Sequence, residues 1–122
     1  MDQVNHADSR AASDFFNTLL MSVIQLRRYQ FRKGVLPDWA VHWRENVRPL
    51  REQFGFTVVF AYADYENNQF VWAVRFDGTA EELAVRDQEY HDSPEWAARL
   101  GGKNGGMVSA TIAIVDEISP LV

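Results

Sequence analysis

The pattern of apolar and polar positions along the chain predicts four strands. The segment 22–31 (SVIQLRRYQF) is rich in β-branched and aromatic residues, which favours a first strand. The segments 56–64 and 69–77 are separated by a short turn and predict a β-hairpin. The apolar segment 107–118 predicts a last strand. The chain therefore contains one strand, then a pair, then one more.

Between the first strand and the hairpin, apolar residues recur at steps of three and four, which is typical of one face of a helix. This stripe consists of Leu36, Trp39, Trp43, Val47, Leu50 and Phe54. Pro37 occupies a favoured first-turn position, and Gly55 is a typical helix end. Pro49 should kink or restart this helix, because proline removes an N–H from its interior.

A second helical region follows the hairpin. Residues 79–82 (TAEE) fit a capping box, and the helix they begin is predicted to run to about His91. Ser93, followed by proline, predicts a new N-cap and a short last helix. The order β-α-β-β-α-β predicts an α+β, ferredoxin-like fold, in which two helices cover one face of a four-stranded antiparallel sheet. Its length suits one domain, 22–118, after a tail or arm at 1–21.

The predicted strands are apolar on both faces. In the hairpin, alternation assigns one face to Val58, Phe60, Tyr62, Phe70, Trp72, Val74 and Phe76, and the other to Val59, Ala61, Ala63, Val71 and Ala73. Two helices can cover only one face, so the other leaves a larger apolar patch than monomers expose. Burial against a second copy is the simplest solution, and we expect a homodimer.

Composition and charge narrow the range of partners. The net charge of −5 disfavours nucleic acid and anionic membranes as partners. There is no cysteine, which excludes disulfides and thiolate metal sites. No basic cluster precedes an apolar stretch at the start of the sequence, so no secretory signal is predicted and the expected location is cytoplasmic.

His42 is the candidate catalytic residue, because histidine titrates near neutral pH and this one flanks the apolar stripe. Asn46 lies one turn further on, so both side chains can lean over the same edge of a cavity. The alternative is a boundary histidine that only makes local hydrogen bonds. The three histidines lack the spacing of metal ligands, so we expect no metal and no cofactor.

Polar side chains on the strands and on the second helix are candidate ligand-binding groups. They are Gln25, Arg27, Tyr29, Arg75 and Arg86. The first three share one side of the first strand by period-two spacing. A buried arginine needs an acidic partner or an anionic ligand. Two alternatives follow: an ion pair with Asp87 or Asp64, or a carboxylate or enolate ligand held by arginine and tyrosine.

Four aromatic residues are candidates for lining a ligand pocket. They are Trp43, Tyr62, Trp72 and Trp96. The alternative is that these side chains are ordinary core, since large aromatic residues dominate the packing of most interiors.

Three short stretches, read together, resemble the NIPSNAP family of the dimeric α/β-barrel superfamily. They are 25–29 (QLRRY) in the first strand, 50–55 (LREQFG) at the first helix end, and Arg86 with 93–96 (SPEW). The resemblance spans residues 23–100. It implies a homodimer with a cavity between the helices and the sheet of each protomer.

The sequence also departs from the family pattern. Gln25 replaces a glutamate, Leu83 an arginine and Ser93 an aspartate, which puts a family-wide charged site in doubt. Haem-degrading relatives carry a tryptophan where this chain has Phe76, so haem chemistry is disfavoured.

The resemblance covers several activities. Members of the superfamily include cofactor-free monooxygenases, small isomerases and cyclases, so the fold alone does not choose among activities. We expect a homodimer that binds a small aromatic or polyketide-like compound, as a binding protein or as a cofactor-free enzyme of one of these types. The alternative is a non-enzymatic interaction or assembly protein whose pocket is filled by its own side chains.

Overall fold

A computed structural model describes residues 21–102 and 105–118, and it has the predicted order of elements. The elements are β1 (Ser22–Phe31), α1 (Leu36–His42), a π-helical segment (Trp43–Val47), α2 (Arg48–Gln53), β2 (Thr57–Asp64), β3 (Gln69–Asp77), α3 (Ala80–Asp92), α4 (Pro94–Leu100) and β4 (Met107–Val115). The predicted N-terminal tail or arm lies outside the described residues, apart from its last residue. The last strand ends three residues earlier than the sequence predicted.

The four strands form one antiparallel sheet in the order β2-β3-β1-β4. This is the predicted ferredoxin-like, α+β arrangement. In the central strand β1, Arg27 lies opposite Trp72 of β3 and Ile112 of β4. Directly opposed residues project to the same side of a sheet, so these three side chains share a face.

The predicted assignment of faces is wrong for most of β2. The pairing of β2 with β3 shifts register between Val58 and Phe60, because of a β-bulge. A shift of one residue moves every later side chain to the other face. Ala61 and Ala63 consequently pack against the core. Phe60 and Tyr62 lie on the opposite side, where Tyr62 is 68% exposed.

The first helix is continuous over 36–53 but changes its winding on the way. We call α1, the π-helical segment and α2 together the long helix. Its α-helical geometry resumes at Arg48, with Pro49 in the first turn, which confirms the predicted restart. The sequence did not predict the five-residue π-helical segment. Such segments are rare, and they are found frequently at functional sites.

Two side-chain caps fix the helices that follow the hairpin. Thr79 Oγ1 accepts a hydrogen bond from the Glu82 N–H at 3.1 Å, and Glu82 Oε1 accepts one from the Thr79 N–H at 2.9 Å. Ser93 Oγ accepts a hydrogen bond from the Trp96 N–H at 3.0 Å. Both predicted caps are therefore confirmed, and they hold α3 and α4 over the sheet.

The two sides of the sheet differ in what covers them. The helices pack on one side, and the buried core lies there, with Trp43, Leu50, Trp72 and Leu83 among its members. The other side, which we call the open face, carries Ile24, Leu26, Phe60, Tyr62, Val71 and Val115, and within the described residues no helix packs on it. No described helix is both long and apolar enough to cross a bilayer.

Candidate functional site

The helix-covered side of β1 carries three polar side chains between the apolar Val23 and Phe31. Gln25, Arg27 and Tyr29 point to this side, and all three are buried. The Arg27 guanidinium donates from Nε to Gln25 Oε1 at 2.8 Å and from Nη1 to Tyr29 Oη at 3.1 Å. Its remaining nitrogen, Nη2, donates to Asp87 Oδ1 at 3.2 Å. Two neighbouring β1 side chains and Asp87 therefore hold one arginine in a fixed orientation.

A second buried arginine shares the same carboxylate. Arg51 of α2 has a side chain only 2% exposed, and its Nη1 donates to Asp87 Oδ1 at 2.6 Å. We call Arg27, Arg51 and Asp87 the arginine–aspartate cluster. Two guanidinium groups against one carboxylate leave it a formal charge of +1. Arg51 also lies against the ring of Tyr90, with Cζ 3.9 Å from its centroid, which is a cation–π contact.

Burial dominates the electrostatics of this region. Desolvation lowers the pKa of Arg51, and the charge of Arg27 adds to that effect, while Tyr90 and Asp87 oppose it. Arginine nonetheless stays protonated in proteins. Desolvation also raises the pKa of Tyr90, so its phenol is neutral at physiological pH.

A cavity of about 130 Å³ lies next to the cluster, between the sheet and the helices. Its polar lining consists of Arg27, Tyr29, His42, Arg51, Tyr90 and His91. Its apolar lining includes the indole rings of Trp39, Trp72 and Trp96. A small apolar space with convergent polar groups is the usual form of a ligand site.

His42 and Asn46 form a hydrogen bond with each other through their side chains. His42 ends α1 and Asn46 lies in the π-helical segment, and Asn46 Nδ2 is 3.1 Å from His42 Nδ1. An amide N–H can only donate, so Nδ1 is the acceptor and the hydrogen of the neutral ring is on Nε2. With the Asn46 amide in this orientation, neutral His42 is a hydrogen-bond donor at its other nitrogen.

Three donors on side chains that line the cavity have no acceptor. Within the described residues, they are the indole N–H groups of Trp39 and Trp72 and the Nε–H of Arg51. The indole N–H of Trp43, which does not line this cavity, is likewise without an acceptor. Buried polar groups are normally paired, so three such donors around one cavity favour an acceptor-bearing molecule there.

The structure brings five of the predicted site residues to this cavity. They are Arg27, Tyr29, His42, Trp72 and Trp96. Two more do not line the cavity but contact residues that do: Gln25 contacts Arg27, and Asn46 contacts His42. Trp43 packs on Trp72 at 5.4 Å between ring centroids, and it lines a separate open groove of about 380 Å³ between the long helix and β2.

Three predicted site residues lie away from the cavity. Tyr62 is on the open face because of the β-bulge. Arg75 lies opposite Ile24, also on the open face, and pairs with Glu117 at 3.4 Å. Arg86 donates to the Phe54 carbonyl at 2.8 Å and pairs with an exposed glutamate on its own helix. The predicted grouping of these residues with the pocket is therefore corrected.

Arg51 and Asp87 lie at the centre of the site, where the sequence pattern does not predict them. The sequence indicates Asp87 only as a partner for a buried arginine, and Asp87 fills that role. Asp64, the other predicted partner, instead accepts hydrogen bonds from Asn67 in the hairpin turn. Among the described residues, no group of three or more potential metal ligands comes together.

Comparison with known proteins gives a fold relationship. In sequence, no family model and no curated protein matches the chain significantly. In structure, it is similar to a NIPSNAP family protein of unknown function from Agrobacterium tumefaciens C58, with a TM-score of 0.72 and 17% identity over 84% of this chain and 95% of that one. An uncharacterised NIPSNAP-like domain protein from Burkholderia xenovorans gives 0.70 and 18% over 83% and 90%.

A third similar structure has a functional name. It is a candidate antibiotic biosynthesis monooxygenase from Bacteroides thetaiotaomicron VPI-5482, with a TM-score of 0.62 and 12% identity over 84% of this chain and 94% of that one. Likeness at such low identity establishes the fold and not the activity. The predicted resemblance is confirmed at that level: this chain has the fold of the NIPSNAP proteins, which the monooxygenase-like proteins share.

Proposed function

We propose that the chain is a homodimeric protein that binds a small organic molecule in the cavity beside the arginine–aspartate cluster. The observation that carries this proposal is the surplus of buried donors. Arg51 Nε–H and the Trp72 indole N–H have no acceptor among the described residues, and both side chains line the cavity. A ligand with carboxylate, enolate or carbonyl oxygens would supply the missing acceptors.

The size of the cavity favours a single ring over a fused polyketide. Drug-sized ligands usually occupy pockets of about 300–1,000 Å³, whereas an apolar cavity of about 150 Å³ binds benzene. The cavity here measures about 130 Å³. Three indole rings in the lining suit a flat aromatic ligand.

A cofactor-free reaction on such a ligand would use His42. In its neutral form the ring donates from Nε2, so it would polarise a ligand oxygen, and in its protonated form it would deliver a proton. Isomerisation, cyclisation and cofactor-free oxygenation of an enolisable ring are reaction types that use such a group. A structure of the same fold is named as a candidate antibiotic biosynthesis monooxygenase, and oxygenation is one reaction of this group, although that likeness by itself establishes only the fold.

The open face supports the dimer. Leu26, Phe60, Tyr62 and Val71 form an apolar surface on a side of the sheet where the described residues place no helix. Association through this surface would remove it from water, at about 25 cal/mol per Å² of apolar area. The predicted cytoplasmic location and the predicted absence of nucleic-acid and membrane partners stay predictions.

A second candidate is a dimeric assembly protein without a ligand. The observation in its favour is that the cavity is small and that its main charges are already paired internally, at Asp87. In that case the arginine–aspartate cluster would be a structural ion pair, and the cavity a packing imperfection.

A ligand screen separates the two candidates. The intact chain would be screened by ligand-observed NMR against single-ring compounds with oxygen acceptors, beside the same ring compounds without them. We expect binding by the first set, competition among its members, and loss of binding in Arg51→Met. A screen without any hit that depends on Arg51 would favour the assembly protein. Light scattering at micromolar concentration tests the dimer, and a well-folded monomer there would contradict it.

A further inference from the structure

We propose that the arginine–aspartate cluster selects the ligand by its charge, so that the cavity takes an aromatic monoanion such as a benzoate. This inference rests on the proposed function and names the ligand class for the same cavity. The cluster holds two positive charges and one negative charge within 3.2 Å contacts. One further negative charge makes the cluster and its ligand neutral together.

Two donors on residues that line the cavity have no acceptor among the described residues, so a ligand need not displace Asp87 to pair with them. Its Oδ1 holds one nitrogen of each arginine, while Arg51 Nε–H remains without an acceptor. The Trp72 indole N–H is a second such donor. A carboxylate offers about four lone-pair positions, so its two oxygens can satisfy both groups at once. Charge-assisted hydrogen bonds of this kind are the strong ones.

Because the two arginine side chains are buried, the charge of the ligand should strongly affect its affinity. The side chains of Arg27 and Arg51 are 6% and 2% exposed, so water screens them little. A neutral ligand leaves one buried positive charge uncompensated. A dianion leaves one negative charge instead. Uncompensated charge away from water is costly in either direction, so both should bind more weakly than a monoanion.

The cluster itself indicates how this selectivity could be changed. Asp87→Asn raises its formal charge from +1 to +2, which favours a dianion. Arg51→Met lowers it to zero, which favours a neutral ligand. Glu89→Gln removes one negative charge from the same helix, but the Glu89 side chain is 54% exposed and pairs with Arg86, away from the cavity. It is a matched control for Asp87→Asn.

The experiment is calorimetric titration of the intact chain at pH 8. The probes are benzoate as monoanion, benzamide as neutral analogue and phenyl phosphate as dianion. For the unaltered chain we expect benzoate to bind at least about tenfold more tightly than either analogue. In Asp87→Asn the ratio of phenyl phosphate to benzoate affinity should rise about tenfold or more, and Glu89→Gln should leave it unchanged.

The possible outcomes test two different claims, charge selection and ligand binding. If benzamide binds as tightly as benzoate, or if Asp87→Asn shifts the ratio no more than Glu89→Gln, charge selection is wrong while ligand binding stands. If none of the three probes binds, and the wider NMR screen also finds no ligand, the proposed function itself fails. Should Asp87→Asn not fold, the three probes on the unaltered chain still decide, because the predicted order requires no variant.

Discussion

From Ile24 to Arg27, the alternation of β1 is inverted relative to an ordinary strand in a one-sided sheet. Gln25, Arg27 and Tyr29 are polar and buried under the helices, while Ile24 and Leu26 are apolar and lie on the open face. A sheet covered on one side normally shows the opposite alternation. Each side of this strand therefore has a feature beyond core packing: the inner side carries the candidate site, and the outer side suits an interface.

The neighbouring strand β3 makes the contrast sharper. Its inner side carries Phe70, Trp72 and Val74, and its outer side carries Val71 and Ala73, so it is apolar in both directions. The inversion is therefore a property of the central strand β1 and not of the whole sheet. On the covered side, β1 carries the polar residues of the candidate site, and the adjacent β3 carries apolar residues of the core.

The largest loss of stability is expected in the apolar core on the covered side of the sheet. Trp43 is 5% exposed and packs on Phe70 and Trp72. Trp43→Ala should lower the free energy of unfolding by about 3–5 kcal/mol, because it removes a large buried side chain and leaves a cavity. Urea denaturation followed by circular dichroism measures this. Tyr65→Ala, at an exposed ring of the hairpin turn, is the control and should cost less than about 1 kcal/mol. A comparable loss in both variants would contradict the assignment.

The next effect tests the polar inner side of β1. Asp87→Ala removes the carboxylate that two buried arginines share. We expect a loss of about 3 kcal/mol in unfolding free energy, at the lower end for a broken buried pair because the Asp87 side chain is 23% exposed. Glu52→Ala, which breaks an exposed pair with Arg48, should cost less than about 1 kcal/mol in the same denaturation experiment. Equal losses would mean that the cluster is not an electrostatic unit.

The third effect concerns the apolar outer side of β1. Leu26→Glu places a charge in the middle of the open face, and we expect the dissociation constant of the dimer to rise about 100-fold, with the secondary structure retained. Analytical ultracentrifugation over a concentration series measures the dissociation constant. Val41→Glu adds the same charge at an exposed position of the long helix and should leave the dimer intact. If both variants dissociate equally, the open face is not the interface.

The smallest effect on stability should come from His42. His42→Ala should change the unfolding free energy by less than about 1 kcal/mol, because a residue chosen for a site contributes little to packing. It should at the same time weaken ligand binding or turnover about tenfold or more. Thermal unfolding beside the ligand screen measures both quantities. A large fall in melting temperature with an unchanged ligand response would make His42 structural.

Local signals explain why so much of the fold could be predicted. The capping box at 79–82 and the Ser93 cap begin helices where the sequence placed them, since each depends on residues only three apart. The first strand and the second hairpin strand also match their predicted bounds. These features are determined by neighbours in the chain, which a sequence displays directly.

Longer-range features of β2 and the long helix could not be predicted. The β-bulge between Val58 and Phe60 depends on pairing with β3, and nothing in the alternation of β2 itself marks it. It moved Tyr62 from the predicted pocket to the open face. The π-helical segment likewise keeps the apolar spacing of an ordinary helix, so periodicity alone does not reveal it.

The charged centre of the site does have a signal in the sequence. Arg51 is four residues after Val47, and Asp87 is four after Leu83, so each charge lies on the buried stripe of its helix. A charge on such a stripe needs a partner, and opposite charges on two stripes that cover one sheet are natural partners. The pairing itself depends on how the helices cross the sheet, which the sequence does not state.

The π-helical segment sets the rotational phase of everything that follows it in the long helix. In an α-helix each residue advances the direction of the side chain by about 100°, and one π-turn absorbs roughly one extra residue without a break in the chain. Deleting one residue from Trp43–Val47 would remove that extra residue, so the segment could rewind as an α-helix with the direction of α2 unchanged. Rewinding the segment without a deletion would instead turn α2 by about that angle and move Arg51 off the cavity. The π-turn is thus what allows a helix with one additional residue to keep its buried arginine over the sheet.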